Sequence, residues 1–482
     1  MNSVIKSICV SSSIHYVCLR YVTYVIQFLN SILLVRYLGE YKYGIYGFIL
    51  ILLQYLSYTN LGINESLNTD FALKKNQSYL PKLIWNNAWS INIILQVLVL
   101  LICLFITFYF PTLFEKYEYA SYAILLLVTN TFINTNKLYV TFYKLYGKIG
   151  KINFQQILPN IILLVGILIY KENISIKFVL WSMLIGNAFP LVIFKINLPL
   201  QVHFMFHKKI VSRLLIRGVN LLLYNLSFYF ILIAALSIVS IYYSVEIFGI
   251  YSFSNTLSNA VMMAGGAFLF IFYPKMVYKL GGKDKDKLQI FLEKIRNIYI
   301  FSIDLVALLS IIAIPIITCI VPITQSAINV FKILIIAKVV TNATSGYATL
   351  LVAKKQEMIL TLYGIISISI VIVLGVLVGK YNYSVEFIAW SIVVASLSYA
   401  YLVLKRGMLF FKQISFGNIV KEMFNKGNSC ALTCVTISII LNDNFIVPVM
   451  SIIIYIYLNR KQLSLTYRMI LSILQDRNNL NF

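Results

Sequence analysis

Long apolar runs alternate with short polar connections along nearly the whole chain of 482 residues. A helix needs about 20 apolar residues to cross the hydrocarbon core of a bilayer, and runs of that length recur from one end to the other. The pattern therefore predicts an all-α polytopic membrane protein with about 14 transmembrane helices, the last two forming a short hairpin. The predicted segments are 8–34, 44–66, 83–110, 119–143, 152–170, 176–195, 214–240, 249–273, 297–321, 327–352, 358–379, 384–404, 429–442 and 445–459.

A short motif occurs twice and divides the chain into two related halves. Residues 44–48 read GIYGF and residues 249–253 read GIYSF, each at the start of an apolar segment. The tripeptide VTN also recurs in the same order, at 128–130 and 340–342. Internal duplication of this kind is frequent in transporters. We therefore predict two pseudo-repeated six-helix bundles and a C-terminal helix pair with a cytoplasmic tail, at residues 1–200, 201–410 and 411–482.

The basic residues are unevenly distributed between the two sides of the predicted membrane domain. Only 12% of the residues are charged, yet the formal net charge is +24. When alternate connections are assigned to opposite sides, 31 of the 40 lysine and arginine residues fall on the side of both termini and six on the other. The positive-inside rule makes the basic side cytoplasmic. The charge thus indicates orientation and attraction to anionic headgroups, and we predict no nucleic-acid partner.

A polar stripe that contains one arginine follows the first predicted helix. Arg20 lies about 12 residues into this segment, which is roughly 18 Å deep at about 1.5 Å per residue. At this depth a charge that faces lipid costs several kcal/mol. Residues three or four positions apart share its helix face, namely Ser13, Tyr16, Thr23, Gln27 and Asn30. The stripe predicts a hydrated cavity, and the alternative is an arginine held by an ion pair with a neighbouring helix.

Polar stripes also occur on other segments in both halves of the chain. They comprise Gln54, Ser57, Asn64 and Asn68; Asn130, Asn134, Lys137, Thr141 and Lys144; Ser252, Asn255 and Asn259; and Lys338, Asn342, Ser345 and Thr349. Such residues also hold neighbouring helices together, but their presence in both halves favours a central polar cavity. The candidate substrate-binding residues are Arg20, Tyr16, Thr23, Gln27, Asn134, Lys137, Lys338, Asn342 and Asn255.

Two acidic residues inside predicted helices are candidates for ion coupling. Asp304 and Glu65 could each carry a coupling proton, or could each balance a lysine in a purely structural role. The sequence shows no candidate catalytic site, because it has neither paired carboxylates nor a histidine-rich cluster. The sequence GGK at 281–283 lacks the other residues of a phosphate-binding P-loop. We predict a non-enzymatic protein without a metal or a cofactor.

Three short motifs near the N-terminus resemble a known family. They are RYLG at 36–39, YGIY at 43–46 and LG at 61–62. Together with the length, the helix number and the duplication, they resemble the opening of the Wzx-type O-antigen and capsule flippases. That family belongs to the multidrug/oligosaccharidyl-lipid/polysaccharide (MOP) superfamily of transporters.

The resemblance implies a V-shaped cavity through which an undecaprenyl-diphosphate-linked oligosaccharide moves to the outer leaflet of the bacterial inner membrane. A polysaccharide polymerase and a chain-length protein would then be partners. Arg20 and Lys338 would bind the diphosphate, because cations bind phosphate groups strongly. The chain departs from the related lipid II flippases, since Tyr21 follows Arg20 where they have an acid, and Tyr224 and Asn225 stand where they have a cation. The alternatives are a drug or cation antiporter of the same fold, a membrane-embedded polymerase and a structural scaffold.

The charge distribution generates a prediction about topology. Single cysteines introduced near Lys208, Lys285 and Lys412 should react with thiol reagents only from the cytoplasmic side, because these positions belong to the basic connections. Cysteines near Glu115, Lys171 and Lys380 should react from outside, in whole cells treated with a membrane-impermeant maleimide. External labelling at position 285 would contradict the predicted number of helices.

Overall fold

The computed structural model describes residues 12–74, 80–112, 114–146, 149–196, 202–282, 284–320, 325–411, 415–440 and 446–465. The first eight α-helices are α1 Ser12–Ser57, α2 Ile63–Lys74, α3 Leu80–Tyr109, α4 Tyr119–Leu145, α5 Ile149–Tyr170, α6 Ile176–Ile196, α7 Lys208–Tyr242 and α8 Val245–Leu280. The others are α9 Lys285–Ile312, α10 Ile314–Ile320, α11 Gln325–Asn342, α12 Tyr347–Ala353, α13 Glu357–Lys380, α14 Glu386–Met408, α15 Phe416–Met423, α16 Lys426–Ile440 and α17 Ile446–Leu458. Lys412 and the predicted tail beyond residue 465 lie outside the described residues.

The prediction of an all-α polytopic membrane protein is confirmed. Each of the fourteen predicted apolar segments coincides with one of these helices or with a broken pair. Two predicted segments lie in α1, where Gly39 separates them at φ 71°, a backbone conformation that glycine adopts easily. Within the described ranges, seven helices are long and apolar enough to cross a membrane, or nine if each of two bent pairs counts as one span. α16 and α17 are shorter apolar helices.

Three predicted segments are interrupted where the sequence pattern suggested one continuous helix. Segment 297–321 is divided between α9 and α10 just before Pro315, which has no backbone N–H to continue the helical hydrogen bonds. Segment 327–352 is divided between α11 and α12, which are bent by 48° at a break that ends at Gly346 with φ 87°. Segment 44–66 ends as α1 at Ser57, and α2 begins at Ile63.

The described residues of Cys18–Leu226 form one compact unit, the first unit, and those of Met1–Val17 together with Ser227–Phe482 form another, the second unit. Aromatic side chains fill one end of the first unit. Trp85 of α3 is fully buried, and its ring centroid lies 4.3 Å from that of Phe142 in α4. Tyr143 of α4 contacts Phe194 of α6 at 4.9 Å and donates a hydrogen bond of 2.8 Å to its carbonyl oxygen. Helices α3, α4 and α6 are thereby held together.

Helix α11 lies in the centre of the second unit, where it packs against α8, α14 and α16. Its position is fixed by polar contacts as well as by apolar ones. Ser254 of α8 donates a hydrogen bond of 2.8 Å to the carbonyl oxygen of Ala327. Lys332 has no exposed surface, and its ammonium donates to the carbonyl oxygen of Ser438 in α16 at 2.8 Å. The surroundings of Lys332 are therefore those of a core residue.

The segment 202–207, which precedes α7, is extended and held along α3 by side-chain acceptors. The backbone N–H of Met205 donates to Ser90 Oγ at 2.9 Å, and that of His207 donates to Asn87 Oδ1 at 2.7 Å. Asn87 and Ser90 are fully buried. Asn87 and Ser90 therefore accept hydrogen bonds from backbone N–H groups that lie outside any helix. Buried polar groups usually require such a hydrogen-bond partner.

Two glycines permit a direct backbone contact between α7 and the turn before α2. A Cβ added at Gly218 would lie 2.6 Å from the carbonyl oxygen of Leu61 and 2.8 Å from that of Gly62. Gly62 itself has φ +70°, and a Cβ there would lie 2.0 Å from the carbonyl oxygen of Gly218. Because both neighbours are backbone atoms, neither can move aside cheaply.

We predict that Gly218→Ala lowers the free energy of unfolding by about 1–3 kcal/mol, the usual cost of overpacking. The measurement is thermal unfolding of the purified protein in detergent. The control is Gly150→Ala, because a Cβ at Gly150 meets no atom within 4 Å and alanine has the higher helix propensity. Equal melting temperatures for Gly218→Ala and the parent chain would contradict the close contact.

Candidate functional site

Arg20 of α1 is held in place by two neutral side chains. Its Nε donates a hydrogen bond of 2.9 Å to the hydroxyl of Tyr24, whose ring centroid lies 5.0 Å from the guanidinium carbon. Its NH1 donates to Oε1 of Gln156 in α5. Arg20 is half-buried, and among the described side chains no carboxylate lies within ion-pair distance of it. The guanidinium is thus oriented by its partners without losing its net charge.

The other residues of the Arg20 stripe differ in how accessible they are. Gln27 is half-buried, and its buried Oε1 has no hydrogen-bond partner among the described residues. Thr23 is only 2% exposed and donates to the carbonyl oxygen of Leu19 in its own helix at 2.8 Å. Asn30 is buried and donates to the carbonyl oxygen of Asn160 at 2.9 Å. The side chain of Tyr16 lies outside the described part of the chain.

Helix α5 therefore forms part of the candidate site, and the sequence interpretation missed it. Gln156 and Asn160 are one helical turn apart and contact Arg20 and Asn30 respectively. They flank Pro159, which lies inside the helix. The signal that could have identified them is the spacing of two amides by four positions, which places both on one face of the helix.

The candidate residue Asn134 of α4 lies in a buried amide cluster instead of on a cavity wall. Its Nδ2 lies 3.2 Å from Oε1 of Gln96 in α3, 3.3 Å from Oδ1 of Asn130 and 3.2 Å from the carbonyl oxygen of Leu56. Asn130, Asn134 and Gln96 are all buried. The cluster joins α1, α3 and α4, so in this conformation Asn134 has the geometry of an interhelical contact.

Lys137 of α4 and Glu65 of α2 are oppositely charged candidate residues in the first unit. Lys137 is exposed, although it lies one turn after a buried asparagine, and it is attracted electrostatically by Glu65. Glu65 lies in the first turn of α2, where the positive end of the helix dipole favours a carboxylate. The attraction to Lys137 and the helix dipole both lower the free-energy cost of a charged carboxylate at Glu65. Both effects are compatible with a structural role for Glu65 and equally with a role in ion coupling.

In the second unit, the candidate residues Lys338 and Asn342 of α11 contact polar or sulfur groups of α8. The ammonium of half-buried Lys338 donates to Oδ1 of Asn259 at 2.6 Å. Asn342 Nδ2 lies 3.7 Å from the sulfur of Met262. The candidate Asn255, one turn before Asn259, is 7% exposed. Lys338, like Arg20, is thus held by a neutral amide.

Asp304 of α9 is fully buried against the C-terminal hairpin. The hydroxyl of Tyr455 in α17 lies 3.3 Å from Asp304 Oδ2 and 3.3 Å from the carbonyl oxygen of Phe301. The other carboxyl oxygen, Oδ1, is buried and has no hydrogen-bond partner among the described residues. This carboxyl group therefore has one hydroxyl partner among the described side chains.

A second arginine, Arg296, is more deeply buried than Arg20 and was assigned by sequence to a cytoplasmic connection. It lies inside α9, is 2% exposed and donates to the carbonyl oxygen of Ala343, at 3.3 Å from Nε and 3.1 Å from NH2. Its guanidinium also contacts the carboxylate and the carbonyl oxygen of Glu422 in α15, and lies 5.6 Å from the ring centroid of Tyr347. This arginine is fully compensated and fixes the break between α11 and α12.

Solved structures share this fold. A lipid II flippase MurJ in an inward closed conformation superposes with a TM-score of 0.69 at 14% sequence identity, over 95% of this chain and 100% of that one. An inward-facing MATE-family multidrug resistance transporter of the MOP superfamily gives 0.67 at 13% identity, over 85% and 99%. A MOP superfamily transporter from Pyrococcus furiosus Vc1 (DSM3638) gives 0.52 at 14% identity, over 84% and 94%.

No protein-family model matches the sequence, and no curated protein matches it. At these identities the superpositions establish the fold. The chain has the fold of MOP superfamily transporters, and the fold includes flippases for lipid-linked substrates as well as multidrug transporters.

Proposed function

We propose that the chain is a flippase that moves an undecaprenyl-diphosphate-linked oligosaccharide from the inner to the outer leaflet of the bacterial inner membrane. The product would serve O-antigen or capsule synthesis, beside a polymerase and a chain-length protein. The proposal is supported by the fold, which a lipid II flippase shares. The observation that carries it is the guanidinium of Arg20, which no carboxylate among the described side chains compensates.

A diphosphate cannot cross hydrocarbon without partners, because burying an unpaired charge is very costly. Arginine suits this task, since its planar fork can bind two phosphate oxygens at once. Arg20 keeps donors available for an anion, because its contacts use Tyr24 on Nε and Gln156 on NH1. In this proposal Arg20 binds the diphosphate while the prenyl chain remains in the bilayer.

Other candidates would contribute to the path without binding the diphosphate as tightly. Lys137 and Lys338 supply further positive charge, one in each unit. Gln27 offers an amide whose oxygen has no partner among the described residues, and such groups bind sugar hydroxyls. Asn134 and Asn255 are buried in this conformation, so they would contact substrate only in another stage of the cycle.

A cationic-drug antiporter is the second reading, because MATE transporters share the fold. A cavity for cations requires accessible carboxylates for electrostatic attraction. Asp304 has no exposed surface, and Glu65 is paired electrostatically with Lys137. These surroundings favour an anionic substrate over a cationic one.

We predict that Arg20→Ala abolishes most translocation while the protein still inserts. Losing a desolvated charge contact costs about 2–5 kcal/mol, which corresponds to roughly 30-fold or more in affinity. Arg20→Lys should retain partial activity, because it keeps the charge but loses the fork. The assay measures outward movement of a fluorescent undecaprenyl-diphosphate-linked sugar in proteoliposomes, and surface polysaccharide together with protein abundance in cells.

The matched control is Arg36→Ala, which removes an exposed arginine from the same helix and should leave translocation unchanged. A purely structural Arg20 would instead reduce abundance in proportion to transport. Full export by Arg20→Ala would end the proposal. Efflux of cationic drugs by the parent chain, without lipid translocation, would favour the antiporter.

We also propose that Asp304 carries a coupling proton, and we predict that Asp304→Asn removes the dependence of translocation on an imposed pH gradient. An amide can occupy the same space beside Tyr455 but cannot release a proton. Asp286→Asn, an exposed carboxylate on the same helix, should leave the gradient dependence intact. Translocation rates are measured in proteoliposomes with and without the gradient, and an unchanged gradient response in Asp304→Asn would exclude this role.

A further inference from the structure

A basic cleft lies where α8 ends and α9 begins, in the second unit. Its volume is about 480 Å³, which is within the roughly 300–1,000 Å³ typical of ligand pockets. Its described lining residues are Lys279, Gly282, Asp284, Lys287, Leu288, Ile290, Phe291 and Lys294. The described lining thus contains three lysines and one aspartate, together with apolar side chains.

The lysines are arranged by the geometry of α9 and the end of α8. Lys287 and Lys294 are seven residues apart, so they lie about two turns apart on one helix face with Phe291 between them. The ammonium of Lys279 lies 5.1 Å from the ring centroid of Phe291. A fourth lysine, Lys354, donates to the carbonyl oxygen of Gly282 at 2.7 Å and fixes the turn at the mouth of the cleft.

Among the described lining residues, Asp284 is the one that carries a carboxylate, and it partly neutralises Lys287. Asp284 lies 3.2 Å from the ammonium of Lys287 in a largely exposed ion pair. Asp284 also accepts a hydrogen bond from the backbone N–H of Lys287 at the start of α9, and this bond holds the pKa of the carboxyl below its usual value. Asp284 is therefore ionised at neutral pH and competes with any anion that enters.

The apolar wall indicates that the anion is part of a lipid. Ile290 is 68% exposed, and Leu288 and Phe291 line the same cleft. A free anion would gain nothing from this surface, whereas a prenyl or acyl chain would remove it from water. Lysine side chains at such a boundary place their stems on apolar surface and their charges in water.

We propose that this cleft binds the phosphate headgroup of a membrane lipid, at a site separate from Arg20. Two lipids have this chemistry: the prenyl-diphosphate carrier before translocation and an anionic phospholipid of the bilayer. The inference goes beyond the proposed function, because it holds for either lipid whether or not Arg20 binds the transported diphosphate.

The experiment measures binding to the full-length protein in detergent by native mass spectrometry. All variants carry Arg20→Ala, so that binding at that residue does not contribute. The probes are farnesyl diphosphate and dioctanoyl phosphatidylglycerol. Lys279→Gln with Lys294→Gln should weaken binding by about 10–30-fold, because each lysine near a lipid surface contributes about 1 kcal/mol. Added salt should reduce the difference, because it screens exposed charges.

Two further variants separate a binding site from general charge or misfolding. Asp284→Asn keeps a side chain that can cap α9 but removes the competing charge, so it should tighten binding several-fold, which a damaged protein would not do. Lys285→Gln with Lys421→Gln removes the same charge from exposed positions that do not line the cleft and should leave both affinities unchanged.

The outcomes also distinguish the source of the headgroup. Loss for farnesyl diphosphate alone identifies the lipid carrier, and loss for both probes identifies a site for anionic headgroups in general. Unchanged affinities for both probes in Lys279→Gln with Lys294→Gln overturn the inference, and so does an equal loss in the control pair. Neither result alters the test of Arg20, which is read from translocation.

Discussion

The cost of placing polar groups in hydrocarbon determines most of this structure. Each buried polar side chain needs a partner, because no water is available to provide one. The amides of Gln96 and Asn134 bond each other across α3 and α4, and Lys332 binds the carbonyl oxygen of Ser438. Such contacts determine which helices are neighbours. Apolar surface alone does not, because it packs against lipid tails as readily as against another helix.

Arg296 and Arg20, which both lie inside helices, illustrate opposite solutions to this constraint. Arg296 has a carboxylate, two carbonyl oxygens and an aromatic ring around it, and it is 2% exposed. Its charge is used within the fold, where it closes the break between α11 and α12. Arg20 has a phenol and an amide, and it remains half-buried. Charge that a fold leaves uncompensated at such cost is a candidate for function.

The sequence predicted the helices well and the individual contacts poorly. Apolar runs identify membrane helices because length and hydropathy are local properties, so all fourteen predicted segments coincide with observed helices. The break before Pro315 was missed because the apolar run continues through it, whereas the polar residues beside Gly346 were interpreted as one face of a continuous helix. Arg296 and Gln156 were missed for a different reason: a partner 126 or 136 positions away leaves no trace in a local pattern. Polarity alone did not separate buried Asn134 from exposed Lys137.

Under the proposed function Arg20 must release what it binds, and its neutral partners suit this requirement. If a carboxylate neutralised Arg20, an incoming diphosphate would have to displace it. If Arg20 had no partner, the empty site would contain an isolated charge and would hold its substrate too tightly. Tyr24 and Gln156 orient the guanidinium in this conformation without neutralising it, which would lower the cost of ordering it on binding. Under the proposed function, moderate affinity and repeated turnover would depend on the same two hydrogen bonds.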